Sequence, residues 1–466
     1  MNVLPTIASL SKSFGSYTSP ANIAHFILNA LGSTDLGESS GHLDIVDSRT
    51  GRKYVMPIEH NSVNALEFRR ITAASRGADH VDQYETGLKI LDHGFFNTAC
   101  MKSSITFIDG QRGVIRYRDH SLSDLLDSDH DWEDVTHLLI WGKLPTPKQK
   151  KALRRTLADE MQSPPQACLD CIKSFPREAL PGAMITAILS VFASLDEGSI
   201  RIHTRGEPYY LNNLERVDAA IIRSIANIAV AIALVNCHKR GIEFTPAKPD
   251  LSFLGNLLRM MGKADPDGNC EKVMERLWVL YADHEMTNST AAFLHSASTL
   301  TDPLSCAITG IVSAYGPLHG GAIDLAYKGF EEVGEVENVP KLISKVKAKK
   351  QRLFGYGHRV YKTTDPRSKY ILEMMDDNMA SFQANPLLRV AMEIDRVAHE
   401  DPYFTSRKLK ANADLYGCLL YTALGFETDI ILGLACLSRT PGVMAHWREA
   451  MQQSPRLWRP QQVFIA

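Results

Sequence analysis

Between Ala219 and Cys237 the sequence is apolar on nearly every helical side, interrupted by Arg223 at one end. A helix without a polar face either crosses a bilayer or is packed on all sides inside a large domain. Its nearly uncharged part, Ser224 to Cys237, is shorter than the roughly 20 residues that span a membrane and carries Asn227 and Asn236. The segment therefore predicts a buried core helix, and such a helix needs several layers of other helices around it. A chain of 466 residues can supply them, since at about 150 residues per domain it makes roughly three domains or one large two-lobed body. With 44% hydrophobic and 22% charged residues, disorder, collagen-like repeats and coiled coil are excluded.

Lys and Arg number 51 against 53 Asp and Glu, a net charge of −2. No bulk field exists to hold nucleic acid or an acidic membrane surface, so neither is an expected partner, and any anionic ligand must be met by local arginines. The eight cysteines are scattered, which fits reduced thiols better than a disulfide framework. Cys168 and Cys171 form the one CxxC pair, and no second pair follows at zinc-site spacing, so they read as helix-face cysteines and no metal is expected. Residues 1–34 lack acids and are rich in Ser, Thr and Ala, yet Lys12 is their only Lys or Arg, too little for a transit peptide. The ending Val463 to Ala466 carries no peroxisomal tripeptide. Cytoplasmic location is the expectation, with mitochondrial and peroxisomal alternatives open.

Two β signals stand near the front. Leu43–Val46 and Lys53–Ile58 flank the turn-forming stretch Asp47–Gly51, and Ile105–Ile108 faces Val114–Tyr117 across Asp109-Gly110 and Gly113; both predict small hairpins. Beyond Asp131 apolar residues recur at helical spacing, with breaks at Pro145, Pro164-Pro165, Pro181, Pro246 and Pro317. The fold class is mainly α. Lys341 to Arg352 is strongly basic and leads into Gly355, Gly357, His358 and Arg359. Alone it is a solvated helix face, but beside those glycines it suits a phosphate-bearing ligand.

Several familiar signatures fail on context. Gly37-Glu38-Ser39-Ser40-Gly41 matches a nucleophile elbow but follows a helical pattern and precedes a strand, the reverse of what exposes such a serine. His284-Glu285 opens like a zinc-protease helix, yet Asn288 stands where the second histidine belongs. Gly355-x-Gly357 lacks a third glycine, where Val360 stands. What remains is Tyr281-Ala282-Asp283-His284-Glu285 closing an apolar run, Gly316-Pro317-Leu318-His319-Gly320-Gly321-Ala322 opening a helix, and Phe354 to Lys362 followed by Asp365-Pro366-Arg367. Each histidine alone suits a core or surface role. Set among Pro317, Gly320 and Gly321, however, the His319 imidazole would lie near a helix N-terminus, which disfavours its cationic form.

The segments GPLHGGA, GYGHRVYKTTDPR and YADHEMTNST together resemble the citrate synthase family. The likeness continues through DSRTGRKY from Asp47, KSSITFIDGQRGVIRYRD from Lys102, NADLYGCLLYTALG from Asn412, SRTPGVMAHWRE from Ser438, and Arg459-Pro460, and so covers nearly the whole chain from about residue 40. The resemblance implies a two-lobed helical fold with small N-terminal β-hairpins: an N-terminal segment 1–59, a large helical domain 60–320 with 436–466, and a small helical domain 321–435 that closes over the ligands. It implies an acyltransferase that performs a Claisen-type condensation of an acyl-CoA with oxaloacetate, followed by thioester hydrolysis, without metal or other cofactor. By family match Asp414 is the base, His319 donates to the thioester oxygen and His358 to the oxaloacetate carbonyl. His284, Arg367, Arg439 and Arg459 hold oxaloacetate, Arg459 reaching the neighbouring site of a homodimer. Lys350, Arg352, Phe354, Gly355 and Gly357 lie against the CoA nucleotide. From the residues alone, Asp414 could instead cap a helix beginning at Leu415, and Arg439 and Arg459 could be surface charges.

Four departures from the family pattern bear on the substrate. Leu180 and Leu294 stand where relatives carry a histidine and an arginine, and Leu415 and Gly417 replace Phe and Ser beside Asp414. A drier, wider acyl pocket is the expectation, suited to an alkylcitrate synthase of fungal type, since each buried methylene favours the longer chain. The alternatives are an ordinary citrate synthase using acetyl-CoA, a 2-methylcitrate synthase using propionyl-CoA, and a non-catalytic CoA-binding homologue.

Overall fold

The structure, a computed structural model, describes residues 40–73, 87–378 and 385–465. Residues 1–34 and Ser39 of the elbow-like pattern lie outside the described residues. Two compact units are distinguished, Met1–Cys100 with Pro460–Ala466, and Met101–Arg459.

In the first unit β1 (Gly41–Val46) pairs antiparallel with β2 (Lys53–Glu59), Val46 opposite Lys53. The turn between them is fixed by Asp47, whose carboxylate accepts from the Arg49 backbone at 3.0 Å and its guanidinium at 2.9 Å. The expected hairpin gains a third strand, β3 (Ser62–Val63). His60 and Asn61, both at positive φ (50° and 53°), supply the backbone twist of a two-residue hairpin turn.

The second unit opens with a three-stranded meander, β4 (Thr106–Asp109), β5 (Val114–Tyr117) and β6 (His120–Ser121). Helices follow: α1 (Leu122–Asp127), α2 (Trp132–Trp141), α3 (Pro147–Glu160), α4 (Gln166–Lys173), α5 (Pro181–Leu195), α6 (Glu197–Arg205), α7 (Leu214–Arg240), α8 (Phe253–Met260), α9 (Asn269–Tyr281) and α10 (Asn288–Ala297). After them come α11 (Pro303–Ala314), α12 (Ala322–Val333), α13 (Val339–Lys347), α14 (Pro366–Asp377), α15 (Leu387–Glu400), α16 (Pro402–Thr405), α17 (Ala413–Ala423), α18 (Ile431–Ser438) and α19 (Thr440–Ala450). The chain is mainly helical, as expected. Pro181 starts a helix rather than interrupting one, because the first helical position has no use for its missing N–H. Cys168 and Cys171 lie on α4 as free thiols.

Helix α7 is the apolar segment that demanded layers around it. Asn213 caps its start and Gly241, at φ 66°, ends it. It packs against α3, α4, α5, α8, α11, α18 and α19. By length and composition α7 could cross a membrane, but it is mostly buried among those helices. It is the axis of the core.

Candidate active site

The loop after α9 carries His284 into the interior. Its Nε2 shares a 2.8 Å hydrogen bond with the Tyr361 hydroxyl, and its ring lies 5.3 Å from that of His358, edge to face. Burial, with Arg367 and Arg439 nearby, holds this imidazole well below its ordinary pKa. Beneath it Asp283, fully buried, accepts from the Glu285 backbone N–H and pairs with His446 at 3.4 Å. Burial pushes the Asp283 carboxyl up, but His446 and Arg439 more than offset this and leave it below the usual range. Gly442 has no side chain because a Cβ there would come within 2.1 Å of Asp283 Oδ1.

The loop of His358 is shaped by Gly355 and Gly357, at φ 80° and 83°. A Cβ on Gly355 would lie 2.8 Å from the Leu415 backbone, so this glycine allows the loop to touch α17. The contact is stapled: Asn412 N–H donates to the Gly355 carbonyl at 3.0 Å, Asn412 Nδ2 to the Gly357 carbonyl at 2.8 Å, and Gly357 N–H to the Lys410 carbonyl at 2.7 Å. His358 Nδ1 accepts from the backbone N–H groups of Val360 and Tyr361, at 3.1 and 3.3 Å. With Nδ1 occupied as an acceptor, the neutral ring carries its proton on Nε2. Burial and the Arg367 charge bring its pKa down to about 4.

Asp414 does not cap its helix. Helix α17 begins at Ala413, and Asn412 is the N-cap, its side chain accepting from Asp414 N–H at 2.9 Å. That corrects the expected start at Leu415, and it leaves the Asp414 carboxylate unused by the helix. Burial pushes this carboxyl up to about 6, against the lowering influence of Arg367.

His319 lies in the tight turn between α11 and α12. The helix end that meets its ring is that of α10 and not its own α12: Ser289, in the first turn of α10, donates its backbone N–H to His319 Nε2 at 3.2 Å, and its hydroxyl lies 2.8 Å from the same atom. An N-terminal amide aimed at Nε2 disfavours the imidazolium and leaves the proton on Nδ1. Burial, then Arg439, takes its pKa down to about 4. His319 and His358 are thus neutral at physiological pH with opposite ring nitrogens protonated.

Arg367 is buried and gripped by Asp365, Nε to Oδ1 at 3.0 Å and Nη2 to Oδ2 at 2.7 Å. Asp365 also caps α14, so one carboxylate fixes both a helix start and a guanidinium. Arg439, at the junction of α18 and α19, donates Nε to the Tyr281 carbonyl at 2.5 Å and makes no ion pair among the described residues. No hydrogen bond joins Asp414, His319 and His358 among the described residues. Two shared charges do: Arg367 acts on His358 and Asp414, and Arg439 on His319 and Asp414.

Other expected residues stand apart. Arg459 is exposed at the end of this unit, and among the described residues no hydrogen bond or ion pair links it to the cluster. Lys350 and Arg352 are exposed, the Arg352 guanidinium lying 5.7 Å from the half-buried Phe354 ring. Of the four substituted positions, Leu294 and Leu415 are core residues. Gly417 makes room for the Tyr281 hydroxyl, which a Cβ would approach to 2.6 Å. Leu180 is exposed at a cavity of about 340 Å³ that Asp324, Lys328 and Asp429 also line. Sequence reasoning passed over Ser289, Tyr361 and Asp365. Asp365 was readable from the Asp-Pro start of α14, whereas the other two act only through space.

A family model described as the C-terminal domain of citrate synthase matches residues 94–461. The citrate synthase-like protein oryE of Aspergillus oryzae is 47% identical over 427 residues, covering 91% of this chain and 95% of the relative. The alkylcitrate synthase phiJ of a fungal species is 38% identical over 434 residues, covering 92% and 94%. Citrate synthase 1 of Arabidopsis thaliana, a peroxisomal protein, is 35% identical over 438 residues, covering 92% and 87%. Among solved structures, citrate synthase of Thermoplasma acidophilum in a ternary complex with carboxymethyl coenzyme A and oxaloacetate superposes with a TM-score of 0.73 at 27% identity, covering 81% of this chain and 96% of that one. The chain belongs to the citrate synthase family and is an enzyme of the citrate synthase type.

Proposed function

We propose that this enzyme condenses an acyl-CoA whose chain is longer than acetyl with oxaloacetate, then hydrolyses the thioester, releasing an alkylcitrate and CoA. The observation that carries the mechanism is the division of labour around Asp414: Asn412 takes over the capping, so the carboxylate is free to accept a proton. Asp414 removes a proton from the α-carbon while His319 Nδ1–H donates to the thioester oxygen, giving an enol. The α-carbon attacks the keto carbon of oxaloacetate, and His358 Nε2–H protonates the oxygen that becomes the tertiary hydroxyl. Water then cleaves the thioester, and the sulfur leaves with a proton as the free thiol. A near-neutral pKa of about 6 suits Asp414 to this proton transfer.

The two carboxylates of oxaloacetate fall to Arg367 and Arg439, with His284 at their side and Arg459 of a second subunit closing a homodimeric site. The CoA nucleotide lies along Lys350, Arg352 and the Phe354–Gly357 loop, and closure of the 321–435 lobe excludes water during enolisation. None of these steps calls for a metal or prosthetic group. The preference for a longer acyl chain is supported by the relatives named alkylcitrate synthases, at 38% and 37% identity. The peroxisomal relative at 35% favours the acetyl alternative. Thiol release and product mass with acetyl-, propionyl- and hexanoyl-CoA in parallel test the proposal. A hexanoyl preference supports it, an acetyl or propionyl preference overturns the chain length, and no thiol release with any of them overturns the activity.

A further inference from the structure

The His358 loop and the start of α17 share a partner besides each other. Asp395, on α15, accepts the Tyr356 hydroxyl on Oδ1 and the Tyr416 hydroxyl on Oδ2, the second at 2.8 Å. Tyr356 stands two residues before His358, and Tyr416 two residues after Asp414. One carboxylate therefore grips both segments. Burial, reinforced by the Asp395 charge, holds both phenols above their ordinary pKa, so they stay protonated and keep donating. Among the described residues Asp395 makes no ion pair, and its two oxygens are left to the tyrosines. Tyr416 is buried, and the half-buried Tyr356 ring stands edge-on to the buried Phe404 ring at 5.7 Å. Phenylalanines would fill the same space, so what the hydroxyls add is direction: a charge-assisted hydrogen bond is short and strong, and its geometry is demanding.

Resting on the roles proposed above for His358 and Asp414, we infer that Asp395 is a positioning residue of the condensation. The bonds from Asn412 and Lys410 meet the loop along one short line, Gly355 to Gly357, where Tyr356 also pairs with Ala411. Bonds along one line fix a separation and leave a tilt about that line. A third point off the line removes the tilt, and Asp395 supplies it from a different helix. His358 and Asp414 serve the two carbons that become bonded, so a tilt of the loop against α17 moves one reacting centre off the other. A misplacement of about 1 Å at such a site can cost about 100-fold in rate. Neither tyrosine has to touch a substrate for this.

The test measures kcat and both KM values by thiol release, with thermal unfolding alongside, in Tyr356→Phe, Tyr416→Phe, the double variant, Asp395→Ala and Asp395→Asn. The acyl-CoA is whichever of acetyl-, propionyl- and hexanoyl-CoA the unaltered enzyme turns over fastest. A clamp opens when either arm is cut. Each single phenylalanine variant and the double variant are therefore expected to lose a similar share of kcat, about 10- to 100-fold, with both KM values unchanged. Asp395→Asn, whose amide can accept one hydroxyl and donate to the other, is expected to keep more of kcat than Asp395→Ala. The phenylalanine variants keep the ring packing and decide the matter if an Asp395 variant does not fold. Losses that multiply in the double variant, an unchanged kcat, or a raised KM with kcat intact overturn the positioning role. No thiol release from the unaltered enzyme with any of the three acyl-CoAs overturns the condensation itself.

Discussion

The two halves of the site handle charge in opposite ways. On the keto-acid side Arg367 is locked to Asp365 by two hydrogen bonds, and His284 is wedged against Tyr361 and His358. On the acyl side His319 is held neutral by a helix-end amide, and Asp414 sits in its crowded pocket without a salt bridge among the described residues. On the function proposed above, the first half keeps fixed charges in place for a dianion. The second keeps groups near the point of gaining or losing a proton, which a permanent counter-ion would prevent.

The most damaging change to this contrast is Asp414→Asn, which keeps shape and removes the base. The expected outcome is a roughly 10²- to 10⁴-fold loss of kcat without loss of thermal stability, read by thiol release and thermal unfolding. The unaltered enzyme sharpens the same point. A carboxylate must be ionised to take a proton, so kcat/KM is expected to fall as pH drops through about 6. His319 and His358, at about 4, stay neutral across that limb.

On the other half, Asp365→Asn leaves Arg367 buried without its partner. A loss of about 3–5 kcal/mol of stability at neutral pH is expected, seen in denaturant unfolding, with a raised KM for oxaloacetate. Arg367 holds the Asp365 carboxyl below its ordinary value once the opposing effect of burial is overcome. The pair therefore stabilises above the unfolded carboxylate pKa, and that stability is lost as pH falls through the lower folded value.

Gly355→Ala is expected to cost about 1–3 kcal/mol, since the new side chain meets both a left-handed backbone and the Leu415 backbone. Its kcat should fall with its stability. Ser289→Ala should have the smallest effect, roughly 2- to 12-fold in kcat for one hydroxyl hydrogen bond of about 0.5–1.5 kcal/mol, because the backbone amide still holds His319 Nε2. A pH profile unchanged from the parent would fit that division.

The layered helical core was readable from α7 alone, and both hairpins from alternation and turn residues. The histidines stand in glycine- or proline-marked segments, whereas Asp414 and the arginines were singled out only by the resemblance to the family. What stayed hidden was decided by partners distant in sequence. The orientation of His319 depends on Ser289, from a neighbouring helix. The reason Asp414 is free is Asn412, whose side chain competes for the same cap. Leu294 and Leu415 drew attention because they differ from the family pattern, the first in polarity and the second in size, and their burial in the core was not visible in the sequence.

The stapling of the His358 loop to the residues before Asp414 has a mechanical consequence. Three hydrogen bonds and one glycine contact join the His358 loop to the start of the helix that carries Asp414. In the lobe closure proposed above, this staple would carry His358 and Asp414 in step and keep their spacing fixed.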